Sequence, residues 1–120
     1  MVSILVIDDE EHIRMLIRKM LELSGYEVYE APDGKVGLEL YRKKPTDLII
    51  TDILMPEKEG LETIMELRRY YPKAKIIAIS GGGQIGNLSF LSAAKHLGAL
   101  RTLTKPFTHK ELLKTIKELI

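Results

Sequence analysis

Five polar residues of this chain follow short apolar runs and have the chemistry to bind a cation and a phosphoryl group. They are Asp8, Asp9, Asp52, Ser80 and Lys105, and the runs before them have the apolar, largely β-branched composition of buried strands. Because the carboxyl ends of parallel strands meet at one edge of a sheet, we expect these residues to form one pocket. The carboxylates suit a divalent cation, and the hydroxyl and the ammonium can donate hydrogen bonds to phosphoryl oxygens.

Each of these residues, taken alone, has a simpler structural explanation. Asp is favoured at helix N-caps, so Asp8 and Asp9 could cap a helix after the first strand. Asp52 precedes a proline-containing loop and could form a turn, while Ser80 and Lys105 could be an ordinary strand-end hydroxyl and an ordinary surface lysine. Their joint placement at successive predicted strand ends favours the common pocket.

Strands and helices are predicted to alternate along the whole chain. Short apolar runs predict strands at 2–7, 27–31, 47–51, 75–79 and 100–104. Amphipathic stripes predict helices at 11–23, 35–43, 61–70, near 87–97 and after Thr108, which forms a predicted capping box with Glu111. This order predicts a single α/β domain over residues 1–120, a doubly wound parallel sheet with helices on both faces.

The composition excludes several classes of site. The chain has no cysteine, which excludes disulfides, thiolate zinc sites and a cysteine nucleophile. A net charge of +1 lacks the strong excess of positive charge that is typical of domains that bind nucleic acid. The apolar runs are far shorter than the roughly 20 residues of a membrane span. Since no charged-then-apolar leader opens the sequence, we expect a cytoplasmic protein.

Four segments together resemble the receiver domain of two-component response regulators, in particular the chemotaxis receivers. They are VIDDEE after the first strand, TDILMP after the third, AIS at the fourth and TLTKPF at the fifth. The resemblance covers the whole chain and implies the flavodoxin-like strand order 2-1-3-4-5. It also implies a signalling switch that is phosphorylated by a sensor histidine kinase or a phosphotransfer protein. Such a switch assists its own phosphorylation and dephosphorylation but is not a turnover enzyme.

The resemblance assigns the acceptor and the metal ligands. Asp52 matches the aspartate that receives the phosphoryl group. Asp8, Asp9, Asp52 and the backbone carbonyl of Leu54 match the ligands of Mg²⁺, with Asp8 acting through a water molecule. Mn²⁺ is expected to replace Mg²⁺ at such an oxygen-rich site.

The resemblance also implies how the signal is transmitted. Ser80 and Lys105 would contact the phosphoryl group, and the Lys105–Pro106 peptide is expected to be cis. A shift of the loop after Ser80 would change the face formed by helix 4, strand 5 and helix 5, which binds a downstream protein, an output domain or a second copy in a homodimer. Thr102 stands where most receivers carry an aromatic residue or histidine, so we expect the glycine-rich loop after Ser80 to transmit the change. Direct binding to nucleic acid or membrane is not expected.

Two other functions remain open from the sequence. A Mg²⁺-dependent phosphatase or phosphotransferase of the haloacid-dehalogenase type also places acids at strand ends, but where it has a second aspartate this chain has Glu10. A pseudo-receiver would bind partners without phosphorylation, although the acceptor set is complete here. Gly81, Gly83 and Gly86 match a dinucleotide-binding fingerprint, but no acidic residue ends the following strand to bind a ribose. We therefore interpret these glycines as a switch loop.

Overall fold

Strands and helices alternate along the chain, as predicted. The computed structural model describes residues 1–53, 59–80 and 93–120. The strands are β1 (Ser3–Ile7), β2 (Glu27–Ala31), β3 (Leu48–Asp52), β4 (Ile76–Ser80) and β5 (Arg101–Thr104). The helices are α1 (Glu11–Leu23), α2 (Gly34–Lys43), α3 (Glu59–Tyr70), α4 (the helical residues 93–97) and α5 (His109–Leu119).

The five strands form one parallel sheet in the order β2-β1-β3-β4-β5. The register aligns the carboxyl ends of neighbouring strands, since Ile7 pairs with both Ala31 and Thr51. Further along the sheet, Asp52 pairs with Ile79 and Ser80 pairs with Thr104. The strand order reverses direction at β1 and β3, and ligands of open α/β sheets bind beyond the carboxyl ends of the strands at such a point.

Two apolar clusters, one on each face of the sheet, form the core. Alternate residues of β1 point to opposite faces, so Leu5 and Ile7 pack with α2, α3 and α4, while Ile4 and Val6 pack with α1 and α5. Every residue of β3 and β4 is buried. Continuous burial is expected for central parallel strands that are covered on both faces.

Side chains at the helix starts fix where the helices begin. The Asp33 carboxylate accepts a hydrogen bond from the Val36 amide at the start of α2. Thr108 and Glu111 form the predicted capping box at the start of α5, with both reciprocal hydrogen bonds present. None of the helices in the described part of the chain is long and apolar enough to cross a membrane.

Some element ends differ from the prediction by one or two residues. The predicted strands end before Asp52 and Ser80, whereas in the structure these two residues are the last of β3 and β4. The reason is that the ladder joins backbone groups, so a polar side chain does not end the pairing. α3 also begins at Glu59, earlier than predicted.

Candidate functional site

A lysine and two buried aspartates meet at the carboxyl edge of the sheet. Asp8 follows β1 and is 0% exposed, and Asp52 ends β3 and is 2% exposed. Lys105, just after β5, donates through Nζ to Oδ2 of Asp8 and to Oδ2 of Asp52, both at 3.3 Å. The fold thus brings together three charged groups from the carboxyl ends of three different strands, and the ammonium partly balances the two carboxylates.

Asp8 is held by its backbone as well as by its side chain. Its amide donates to the Ala31 carbonyl (3.1 Å), which extends the contact between β1 and β2. Its Oδ1 accepts from the Glu10 amide at 2.9 Å, and its carbonyl oxygen accepts from Nη1 of Arg14 at 2.7 Å. The N-cap of α1 is Glu10, which makes no side-chain capping bond. Asp8 therefore orders the turn before the helix, and its Oδ2 faces Lys105.

Four carboxylates converge at this edge. Asp8, Asp9, Glu10 and Asp52 each offer a carboxylate oxygen, and these oxygens lie within 4.8 Å of one another. Asp9 and Glu10 are exposed, whereas the other two are buried. Several carboxylate oxygens at this spacing match the oxygen-only coordination that Mg²⁺ prefers. The residues present therefore fit a divalent cation.

Burial and neighbouring charges change the proton affinities of the paired groups. Burial raises the pKa of Asp8, the Glu10 amide lowers it, the Asp52 charge raises it and Lys105 lowers it, with a net increase. For Lys105 burial lowers the pKa, but attraction to Asp52 and Asp8 outweighs this and the net pKa is raised. The lysine therefore stays positively charged, while the fold favours the protonated form of Asp8 more than water does.

Ser80 supplies a buried hydroxyl near the same edge. Its Oγ has no hydrogen-bond partner among the described residues and is inaccessible to solvent. The Ser80 carbonyl accepts from the Lys105 amide at 2.7 Å. Buried hydroxyls in folded proteins nearly always have a hydrogen-bond partner, so the lack of one among the described residues sets Ser80 apart from the other buried polar side chains.

The structure also locates the remaining predicted residues that it describes. The Lys105–Pro106 peptide is cis, as expected. Thr102 lies in β5, pairs with Ala78 and is half-buried. Leu54 and the glycine loop after Ser80 lie outside the described residues. In the sequence Glu10 marks only a departure from the phosphatase pattern, whereas the folded turn brings it into the acidic cluster.

The fold and the acidic edge are those of a known family. Residues 4–117 match the family model described as the response regulator receiver domain. The chain belongs to the receiver domain family. The general role of receiver domains is phosphorylation-based switching, and they bind Mg²⁺ at an acidic pocket. The resemblance found in the sequence is confirmed.

Curated relatives match this receiver domain over nearly all its length. Protein CcdB of Bacillus subtilis is 33% identical over 121 residues, which cover 100% of this chain and 98% of that protein. Chemotaxis protein CheY of Thermotoga maritima is 32% identical over 116 residues, 96% of this chain and 94% of that protein. Other relatives are longer: transcriptional regulatory protein CpxR of Klebsiella pneumoniae is 32% identical over 98% of this chain, which spans 49% of it.

A solved structure confirms the architecture. A response regulator receiver domain protein from Clostridium thermocellum superposes with a TM-score of 0.91 at 33% identity, covering 100% of this chain and 94% of that one. The flavodoxin-like strand order 2-1-3-4-5 that the resemblance implied is therefore confirmed. Receiver domains act with histidine kinases and output domains as signalling switches and are generally not classical enzymes.

Proposed function

We propose that this receiver domain accepts a phosphoryl group on Asp52 in a Mg²⁺-dependent reaction. The donor would be the phosphohistidine of a sensor histidine kinase or of a phosphotransfer protein. The observation that carries the proposal is the bridge of Lys105 between Asp8 and Asp52 at 3.3 Å, at the edge where four carboxylates converge.

The transfer step follows from the position of Asp52. One carboxylate oxygen attacks phosphorus, an O–P bond forms, and the N–P bond of the donor breaks with its electron pair returning to the imidazole ring. Asp52 is 2% exposed, so the acyl phosphate that results would be shielded from bulk water. The Lys105 ammonium contacts an Asp52 carboxylate oxygen before transfer and would contact a phosphoryl oxygen after it.

The acidic cluster would hold the cation. Asp8, Asp9 and Asp52 are the proposed ligands, with Mn²⁺ as a substitute for Mg²⁺ and Glu10 as a further carboxylate within reach. The resemblance adds the Leu54 carbonyl. When bound, the cation supplies positive charge that offsets the repulsion between carboxylates and phosphoryl oxygens. Asp8 would have to be ionised to hold the cation, which would then be a second positive charge beside the Lys105 ammonium.

The Ser80 hydroxyl would pass the signal on to the surface of the domain. A phosphoryl oxygen offers the acceptor that this buried hydroxyl lacks among the described residues. We propose that the resulting shift changes the surface of α4, β5 and α5, and with it the binding of a downstream protein, an output domain or a second copy of the chain. Because Thr102 has no ring to rotate, the proposed route runs through the loop after Ser80.

An apolar groove beside the site supports a protein as the phosphoryl donor. It lies between α1 and the segment after β5 and is lined by Ile13, Leu16, Ile17, Met20, Lys105, Pro106 and Phe107. Leu16 is 43% exposed. Exposed apolar surface next to a reactive group is typical of a protein contact.

Phosphoryl transfer from small donors tests the proposal. The protein is incubated with Mg²⁺ and acetyl phosphate or phosphoramidate, and its mass is measured before and after. We expect one base-labile phosphoryl adduct in the wild type, none in Asp52→Asn, and one in the matched variant Asp33→Asn. Asp33 caps α2 and is not one of the four clustered carboxylates, and asparagine caps helices as well as aspartate does.

The other outcomes separate the alternatives. Release of many equivalents of phosphate without an adduct would indicate a phosphatase. Absence of both an adduct and Mg²⁺ binding would indicate a pseudo-receiver. Mg²⁺ binding without an adduct from either donor would contradict phosphoryl acceptance by this chain.

A further inference from the structure

Arg14 joins the acidic turn to the edge of the sheet. It lies in α1, and its Nη1 donates to the carbonyl oxygen of Asp8 at 2.7 Å. Its Nε donates to Oε1 of Glu30 in β2 at 3.1 Å. The Arg14 side chain is 14% exposed and that of Glu30 is 22% exposed. One guanidinium therefore connects α1, the end of β1 and the neighbouring strand.

The contact with Asp8 lies at a point where the backbone needs a donor. The β1–β2 pairing ends at Ile7 and Ala31, so the Asp8 carbonyl is the first beyond the ladder. This carbonyl belongs to the peptide that leads into Asp9, and its orientation therefore helps to set the direction of the Asp9 side chain. A buried carbonyl without a donor is unfavourable, so loss of the Arg14 donor would favour rotation of this peptide.

Glu30, the carboxylate partner of Arg14, is shared with a second arginine. Glu30 also accepts a hydrogen bond from Nη1 of Arg18, and Arg18 contacts Glu22 through Nε at 3.1 Å. Of these two arginines, only Arg14 contacts the acidic turn within the part of the chain that the structure describes. The planar guanidinium suits this double contact, whereas a lysine ammonium is a single point charge.

We propose that Arg14 is a positioning residue for the cation site. It fixes the turn from Asp8 to Glu10 so that the carboxylates of this turn face Asp52, and it does not contact the cation. This inference rests on the proposed function, because it assumes that the acidic cluster binds Mg²⁺. Removing a group that hydrogen-bonds to a metal-binding residue, and so orients its ligand atom, typically lowers metal affinity by roughly 10- to 100-fold.

A purely structural role for Arg14 makes a different prediction. If its importance lay only in attaching α1 to β2, Arg18 would matter equally, because it shares the same Glu30 partner. Arg18→Met is thus a matched control that removes an ion pair to Glu30 and leaves the Asp8 carbonyl bond intact. Methionine retains much of the apolar stem of arginine, which limits the loss of packing in both variants.

The test uses Mn²⁺ alone as the probe. Its dissociation constant is measured from the electron paramagnetic resonance signal of free Mn²⁺ for the wild type, Arg14→Met, Arg14→Lys and Arg18→Met. Amide hydrogen exchange at Asp9 and Glu10 is measured in the metal-free proteins, and stability is measured by urea unfolding. We expect Arg14→Met to weaken Mn²⁺ binding by about 10-fold, Arg14→Lys to restore part of it, and Arg18→Met to change it by less than about 2-fold. Exchange of the Glu10 amide, which donates to the Asp8 carboxylate, should accelerate in Arg14→Met but not in Arg18→Met.

The outcomes distinguish this inference from the proposed function. If the wild type binds no Mn²⁺, the proposed function fails and the inference fails with it. If the wild type binds Mn²⁺ and Arg14→Met binds it equally well, only the inference is overturned. Equal weakening in Arg14→Met and Arg18→Met, in step with their loss of stability, would also overturn it, because both would then act through the attachment of α1.

Discussion

The amide of Lys105 donates a hydrogen bond of 2.7 Å to the carbonyl of Ser80. The two residues whose side chains are proposed to contact the phosphoryl group are thus joined through their backbones, at the ends of neighbouring strands. Any displacement of Ser80 toward Asp52 must stretch this bond or move the start of the segment after β5. The bond therefore joins the carboxyl end of β4 to the segment that leads from β5 to α5.

Ser80→Ala should weaken the binding of a phosphoryl analogue without lowering the stability of the resting protein. The Ser80 hydroxyl is buried and has no partner among the described residues, so its removal should leave the free energy of unfolding unchanged or raise it by up to about 1 kcal/mol. In contrast, the phosphorylated protein should lose a hydrogen bond. Urea unfolding and the affinity for beryllofluoride, a phosphoryl analogue, measure the two effects. A clear loss of stability would show that the hydroxyl has a partner in the resting protein.

Lys105→Met should destabilise the protein in a way that Mg²⁺ reverses. Without the ammonium, the buried carboxylates of Asp8 and Asp52 lose a countercharge, which costs about 3 kcal/mol for a broken buried pair. Mg²⁺ replaces that charge, so it should raise the midpoint of thermal unfolding more in the variant than in the wild type. Lys44→Met is the control, because Lys44 contacts Glu27 on the exposed surface and its loss should have little effect. An equal response of both variants to Mg²⁺ would contradict the prediction.

The stability of the metal-free protein should depend on pH through Asp8. Burial raises the pKa of Asp8 above its ordinary value of 3.8, so the fold binds this proton more tightly than the unfolded chain does. The contribution of Asp8 is therefore greatest below 3.8 and is lost as the pH rises through the folded-state pKa. Asp8→Asn should remove this dependence, and its stability relative to the wild type should rise across the same interval.

Urea unfolding at a series of pH values without metal measures that difference. Asp33→Asn serves as the comparison, since Asp33 lies outside the acidic cluster. A difference between Asp8→Asn and the wild type that stays constant from acid to neutral pH would contradict the expected pH dependence. A difference that falls with pH would mean that Lys105 outweighs burial at Asp8.

The local sequence pattern predicts where the strands, the helices and the pocket residues lie along the chain, but it does not predict which strands pair. Apolar runs and helical stripes indicate strands and helices, because each residue type responds to its immediate neighbours. The pairing of strands depends on contacts distant in sequence, so the order 2-1-3-4-5 came from the family resemblance alone. Asp52 and Ser80 were predicted to follow their strands, but backbone pairing to Ile79 and Thr104 extends through them.

The residues that support the site are harder to identify from the sequence than the charged residues at its centre. Arg14 occupies an ordinary charged position on a helix, and its contact with the site is to a backbone carbonyl, which has no signature in the side-chain sequence. Glu10 joins the acidic cluster in a turn in which the Asp8 carboxylate accepts a hydrogen bond from the Glu10 amide. Both depend on the shape of one turn, which the order of residue types does not specify.

Gly60 and Gly37 offer a paired test of how closely the helices approach the sheet. A Cβ at Gly60 would lie 2.3 Å from Cα of Ile53 and 2.4 Å from the carbonyl oxygen of Asp52, both backbone atoms. A Cβ at Gly37 would instead meet side-chain atoms of Ile7, at 2.4 and 2.8 Å. A side chain can adopt another rotamer, whereas the end of β3 cannot move without moving Asp52, the proposed acceptor.

Gly60→Ala should therefore cost about 3 kcal/mol of stability and Gly37→Ala about 1 kcal/mol. Alanine is the better helix former by about 1 kcal/mol, so any loss reports the collision and not helix propensity. Because relief of the clash at Gly60 displaces Asp52, this variant should also accept phosphate from acetyl phosphate more slowly, while Gly37→Ala should keep the wild-type rate. Urea unfolding and the time course of adduct formation by mass measure both effects. If the two variants lose equal stability and react at equal rates, then α3 has room to shift away from β3, and its close approach does not fix the position of the acceptor.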